Sequence, residues 1–443
     1  MWSKLFAKSP DLYYNTHMDS LQQQILQNIQ QTAQKDLIDR PLYTRKFAAY
    51  ANKPFIKVLT GMRRSGKTTI MHLAIARLLK EGVSATNIVY VNKEYAEFDF
   101  IKDFKDLNTY VVNQLKNTEG PKYVFLDEVQ QVRDWEKAVV SFFAHNLADI
   151  TISGSNSMLL SGQLATLLSG RYVTIPVYPL KFSEFIDFVV HFNPNLRGST
   201  KEDLFDLFLR FGGVPAVPKI LADPNVAYDY LRSLLDTILF KDVMGHFNIK
   251  STDAFYRVVS FVFDNIGNPV SAKRIADFLK NEKISVSVDT VLDYLNYLQT
   301  AYLINRVRRY DIKGKRFLQL KGKFYLTDLG LRHGLLGYRE KDISQLLENI
   351  VFNELRARGY EVSIGKINGY EIDFMAQKQG ERKYIQVAYL LASEETIARE
   401  FGNLAKVPDH YEKIVVSLDR FFPPDHNGIK HKYLLDFLLE AGR

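Results

Sequence analysis

Apolar and polar positions along the chain switch between a two-residue and a helical period. Short, β-rich apolar runs at residues 55–60, 87–92, 122–128, 150–156 and 171–177 read as buried strands. Between the first two, Ile70, Met71, Leu73, Ile75, Leu78 and Leu79 recur at helical spacing, and Gly82 is placed to end that helix. Residues 41–178 therefore predict an α/β core with a parallel sheet covered by helices. Residues 1–40 carry Gln22, Gln23, Gln24, Gln27, Gln30, Gln31 and Gln34, a polar helical stretch with little to bury. It is expected to be peripheral, and Met18 is a second candidate start. From 179 to 240 the pattern is helical, broken by Phe211-Gly212-Gly213-Val214-Pro215. Residues 241–337 predict three helices, at 255–263, 272–279 (capped by Ser271) and 288–303, and then a two-stranded ribbon at 304–310 and 317–325, as in a winged helix. In residues 338–443 a helix at 343–357 precedes strands at 361–365 and 370–376, whose Asn368-Gly369 link is a hairpin signal. A strand at 383–390, a helix at 394–404 and a strand at 413–417 follow.

Chemistry enters at the first strand-to-helix junction. Gly61, Met62, Arg63, Arg64, Ser65, Gly66, Lys67, Thr68 and Thr69 read GMRRSGKTT, which fits the phosphate-binding pattern G-x-x-x-x-G-K-[ST]. Glycines let backbone N–H groups close around phosphate oxygens, and the helix N-terminus adds its positive end. Lys67 would reach the β- and γ-phosphates of ATP, and Thr68 would hold Mg²⁺. The run ending in Asp127-Glu128 delivers two acids to the carboxyl edge of the sheet, where open α/β folds bind ligands. Asp127 is expected to support Mg²⁺ and Glu128 to act as general base on water. Ser155 or Asn156 is the candidate γ-phosphate sensor. Arg171, opening the last strand, is a candidate arginine finger in its own subunit or a neighbour's, with a plain salt bridge as the alternative. Residues 179–240 then read as a helical lid on this core.

In order, GMRRSGKTT, YVFLDEVQ, ISGSNSMLL and SGRYVTIPVYPLKFSEF resemble a family of prokaryotic AAA-type ATPases with a distinctive C-terminal domain. LLENIVFNEL, GYEIDFMAQ and YIQVAYLL look like that domain. The resemblance implies an ATP-binding core, a winged-helix middle and a restriction-endonuclease-like end. Nucleases of that fold use a helix glutamate, a hairpin aspartate and an acid-x-lysine. Here Glu348 and Asp373 match the first two, but Gln386 replaces the second acid and Ala388 the lysine. Lys383 should face the other side of the sheet, leaving Lys366 as a remote substitute. The expectation is a degenerate site rather than an active nuclease.

The ribbon carries the sharpest charge bias: Arg306, Arg308, Arg309, Lys313, Lys315, Arg316, Lys321 and Lys323 against Asp311. That suits non-specific phosphate contact. The helix at 288–303 lacks a base-reading arginine, so sequence-specific readout is not expected. Packing on a protein partner is the competing use. Across 443 residues the formal charge is +8, in keeping with a polyanionic partner, and the absence of cysteine excludes disulfides and thiol chemistry. Hydrophobic content of 46% and charged content of 24% fit a soluble globular protein, with neither membrane span nor secretory signal and a cytoplasmic setting. Three functions remain: a Mg-dependent ATPase whose nucleotide state controls the later domains in a DNA transaction, an ATP-gated metal-dependent nuclease, and a nucleotide-gated protein scaffold. Oligomer formation is left open.

Overall fold

The computed structural model describes residues 10–35, 37–160 and 167–440. Two compact units divide them, one formed by Met1–Gly61 and Gly66–Val177, the other by Met62–Ser65 and Tyr178–Arg443.

The first unit runs α1 (Pro10–Lys35), α2 (Pro41–Tyr50), β1 (Ile56–Thr60), α3 (Lys67–Lys80), β2 (Ile88–Asn92), α4 (Phe104–Leu115), β3 (Tyr123–Asp127), α5 (Trp135–Ala144), β4 (Asp149–Gly154) and β5 (Tyr172–Pro176). Its five strands are parallel in the order β2-β3-β4-β1-β5. Alternate residues feed two cores, one on each face. Val58, Val91, Leu126 and Ile152 pack with Leu107, Val111, Val139 and Phe142 of α4 and α5. Leu59, Tyr90 and Phe125 pack with Ile70, Met71 and Ile75 of α3. Burial on both faces explains why these strands read as continuous apolar runs.

The N-terminal stretch departs from expectation, because α1 is not peripheral. Leu26 and Ile29 join the α3-side core. Gln22 is buried, and its amide treats β2 as a neighbouring strand would: Nε2 donates to Tyr90 O at 2.8 Å, and Tyr90 N donates to Oε1 at 3.2 Å. Because β2 is the edge of the sheet, the glutamine satisfies groups that would otherwise be orphaned. Residues 1–9 of that stretch, and the side chain of Met18, lie outside those described.

The second unit opens with α6 (Phe182–Phe192), α7 (Lys201–Phe211) and α8 (Pro224–Thr237), then a π-helical turn at Ile238–Met244. Next come α9 (Thr252–Asp264), β6 (Pro269–Val270), α10 (Ala272–Asn281), α11 (Val288–Thr300), β7 (Ile304–Asp311), β8 (Arg316–Leu326) and α12 (Leu329–Leu336). The remainder is α13 (Ile343–Ala357), β9 (Glu361–Ile367), β10 (Tyr370–Lys378), β11 (Glu381–Val387), α14 (Glu394–Ala405), β12 (Glu412–Ser417), β13 (Asp425–His426), β14 (Ile429–Tyr433) and α15 (Leu434–Leu439). Ser271 and Ser287 cap α10 and α11 by accepting from Arg274 N at 3.2 Å and Thr290 N at 3.1 Å. Asn368 and Gly369 take φ of 48° and 87°, the paired positive values of a tight β9–β10 hairpin.

One nine-stranded sheet, β13-β14-β12-β11-β10-β9-β7-β8-β6, runs through this unit. Its join is a parallel pairing of β7 with β9, Tyr310 level with Gly365. The ribbon and the strands beyond residue 338 are thus hydrogen-bonded neighbours in a single sheet. No helix among the described residues is long and apolar enough to cross a membrane.

Candidate nucleotide site and a buried lysine cluster

The loop between β1 and α3 needs left-handed backbone at two glycines, Gly61 at φ 143° and Gly66 at φ 102°, and Gly66 caps α3. Arg64 also has positive φ and points to solvent. Lys67 is buried at the first turn of α3 and donates to Gly61 O at 3.0 Å, so its amine turns back across the loop. Met62–Ser65 group with the second unit, where Arg63 forms an ion pair with Asp242 at 2.9 Å.

Asp127 ends β3, almost wholly buried. Its Oδ1 accepts from Ser153 Oγ, and its Oδ2 from Tyr90 OH and Asn92 Nδ2, each at 3.3 Å. The Thr68 hydroxyl of the phosphate loop also stands near this carboxylate and favours its charged form. Burial raises the Asp127 pKa, opposed by the Ser153 and Thr68 hydroxyls. A hydroxyl and an acid side by side next to a phosphate-binding loop are the donor set that Mg²⁺ uses in P-loop proteins, so the residues fit that ion. Tyr90 and Asn92 escaped the sequence reading. Their signal is strand alternation: two residues apart on β2, they share a face, and Asn92 is in register with Asp127.

Glu128 leaves the strand with φ 51°, a sharp left-handed turn. Its Oε2 accepts from Gln130 Nε2 at 2.5 Å and from Ser155 Oγ at 3.2 Å, and its backbone N donates to Ser153 Oγ at 3.3 Å. Ser155 therefore meets the Glu128 carboxylate, while Asn156 is buried one residue on. Arg171 is a correction. Tyr172 is in register with Ile56, so Arg171 stands at the start of β1, whereas the phosphate loop leaves its other end. Five strand residues, roughly 15 Å, separate them, and Arg171 cannot serve as a finger on its own loop. Its guanidinium lies over the Phe143 ring instead, 5.9 Å from the centroid.

The second unit brings Glu348, Asp373 and Gln386 together, as the mapping expected, but adds a residue it assigned elsewhere. Lys323 of β8 is buried among acids, 2.7 Å from Glu348, 3.1 Å from Glu371 and 3.8 Å from Asp373. Tyr325, two residues on, donates to Glu348 Oε1. Glu371 also pairs with Lys366 at 3.2 Å. Asp373 Oδ2 accepts from Val387 N at 2.9 Å, and Gln386 Oε1 accepts from Asp373 N at 3.3 Å. Burial, then the charge of Glu348, push the Asp373 carboxyl well above the usual range. Burial draws the Lys323 pKa down, but its acidic neighbours prevail and raise it. Lys383 points elsewhere, pairing with Glu381 and Glu412.

Of the ribbon cations, Arg306, Arg308, Lys313, Lys315 and Arg316 are exposed, and Arg308 covers the Phe317 ring at 4.3 Å. Arg309 is half-buried. Lys323 is removed from that surface, and the Lys321 side chain lies outside those described.

A family model described as an AAA domain matches residues 53–186, and one described as a domain of unknown function (DUF8612) matches residues 202–342. An uncharacterized protein of Haemophilus influenzae is 34% identical over 406 residues, which are 92% of this chain and 100% of that protein. Uncharacterized protein MJ1544 of Methanocaldococcus jannaschii is 32% identical over 383 residues, 83% of this chain and 81% of its own. In structure, the Walker-type ATPase PABY2304 of Pyrococcus abyssi is similar at a TM-score of 0.50 and 15% identity, over 68% of this chain and 96% of that one; the likeness is one of fold. The chain belongs to the family of these Haemophilus and Methanocaldococcus proteins, and its first unit is an AAA-type P-loop ATPase domain.

Proposed function

We propose that the protein binds and hydrolyses ATP with Mg²⁺, and that nucleotide state controls the second unit, with its winged-helix-like and nuclease-like parts, in a nucleic-acid transaction. The observation that carries hydrolysis is the acid pair at the end of β3: Asp127 held by Ser153, Tyr90 and Asn92 beside Thr68 of the phosphate loop, and Glu128 held separately by Gln130 and Ser155. Bound Mg²⁺ would draw charge from the phosphates. Lys67 releases Gly61 O to meet the β- and γ-phosphates, Thr68 and Asp127 hold the ion, and Glu128 accepts the proton of the attacking water. Control of the second unit is supported by Arg63, which sits inside the phosphate-loop motif yet pairs with Asp242 in that unit. A loop that tightens on a γ-phosphate and relaxes after its loss can bias what it is bonded to.

Two variants test the reading. Lys67→Ala is expected to abolish binding of a fluorescent ATP analogue. Glu128→Gln should bind it as well as wild type and lose turnover by about a hundredfold or more, the scale of a removed general base. Normal turnover in Glu128→Gln would remove the base from the scheme.

A further inference from the structure

The restriction-endonuclease-like resemblance implies a divalent metal among Glu348, Asp373 and Gln386, and the donor atoms do not fit one. Lys323 Nζ reaches Glu348 Oε1, Glu371 Oε1 and Asp373 Oδ1 at once. The other oxygens of the last two acids are also engaged, Glu371 Oε2 by Lys366 and Asp373 Oδ2 by Val387 N. Gln386 is turned the wrong way for a ligand, since its oxygen faces the Asp373 backbone N–H. Divalent cations need several free, anionic or carbonyl oxygens converging on one point. Here that point already holds an ammonium group.

We propose that Lys323 is the resident cation of this cluster: it fills the charge-balancing place a divalent ion would take among Glu348, Glu371 and Asp373. The cluster is then complete without metal, and it serves as a clamp tying β8 to α13 and β10. Lys323 and Lys366 set two positive charges among these acids, and burial with the charge of Glu348 pushes the Asp373 carboxyl up, which lessens the negative charge left to balance. Buried charges in this number survive only when paired. The placement also accounts for Gln386 on β11 and Ala388 just past its end. With a cation delivered from β8, an acid and a lysine on that strand would add charges that already have no vacancy.

This inference is independent of the ATPase reading, and its test is metal binding by the full-length chain. Free Mn²⁺ is followed by electron paramagnetic resonance in nucleotide-free wild type and in Asp373→Asn. The two are expected to bind alike, with no Asp373-dependent site tighter than about 1 mM, the weak end of natural divalent sites. Lys323→Met leaves the acids uncompensated and should gain one Mn²⁺ site, which Lys323→Met combined with Asp373→Asn removes again. Lys323→Arg keeps the cation and should gain none. A stoichiometric wild-type Mn²⁺ site lost in Asp373→Asn overturns the proposal, as does Mn²⁺-dependent DNA cleavage lost in that variant. A folded Lys323→Met protein that gains no site overturns it too. Should Lys323→Met fail to fold, the wild-type comparison still decides.

Discussion

At the scale of single residues, the most exposed dependence in the nucleotide site is on Gln130. Its Nε2 holds the Glu128 carboxylate, while its own Oε1 is buried with no partner. Gly154 makes the room, because a Cβ at that position would come within 2.8 Å of Gln130 Oε1. A hydrogen bond to a charged group contributes about 1.5–3 kcal/mol. Gln130→Ala should therefore lower kcat by at least about tenfold, with nucleotide affinity unchanged, because only the aim of the base is lost. Gly154→Ala should reproduce the defect by displacing the same side chain. Steady-state kinetics set beside nucleotide binding checks both. A rise in KM at constant kcat would instead assign Gln130 to nucleotide binding.

Elements show why some of the molecule was legible in the sequence and some was not. The loop after β1, the two acids closing β3, the Asn368-Gly369 hairpin and the Ser271 and Ser287 caps all depend on neighbours within a few residues, and local chemistry leaves a local signature. What escaped notice depends on contacts far apart in sequence. Lys323 finds Glu348 across 25 residues, and Gln22 finds Tyr90 across 68. Periodicity reports only whether a face is apolar, so polar groups buried by exact pairing read as surface. One hint was available for the lysine: it stands directly before the unbroken apolar run Phe324-Tyr325-Leu326, the pattern of a strand buried on both faces rather than of an exposed ribbon. Arg171 was misplaced for another reason, since an arginine opening a parallel strand lies at the amino edge and not the carboxyl edge. The Gln22 contact carries its own prediction. Gln22→Leu keeps the volume but leaves the Tyr90 backbone N–H and C=O at the sheet edge without their partner. That should destabilise the first unit by about 1–3 kcal/mol. Chemical denaturation followed by fluorescence would measure it, and an unchanged midpoint would return α1 to the periphery.

For the whole molecule, the question is whether the net charge of +8 serves a polyanion or only solubility. Four of the exposed ribbon cations cluster at one end of β7 and β8, with Lys313, Lys315 and Arg316 at the turn and Arg308 stacked on Phe317 beside them. Lysines and arginines that outnumber the one acid beside them, Asp311, would release counterions on meeting a phosphate backbone, and that term is read from its salt dependence. Each phosphate contact on duplex DNA adds about 0.9 to the slope of log affinity against log salt. Changing Lys313, Lys315 and Arg316 together to alanine should then flatten that slope by about 2.7 if all three touch phosphates. The same change should leave basal ATP turnover as it was, since none of the three lies in the phosphate loop. If nucleic acid acts on the nucleotide cycle, wild-type turnover will rise with DNA, fall back as salt increases, and lose the response in the triple variant. Turnover indifferent to DNA at every salt concentration would give the basic ribbon to a protein partner, and an acidic surface on that partner becomes the expectation.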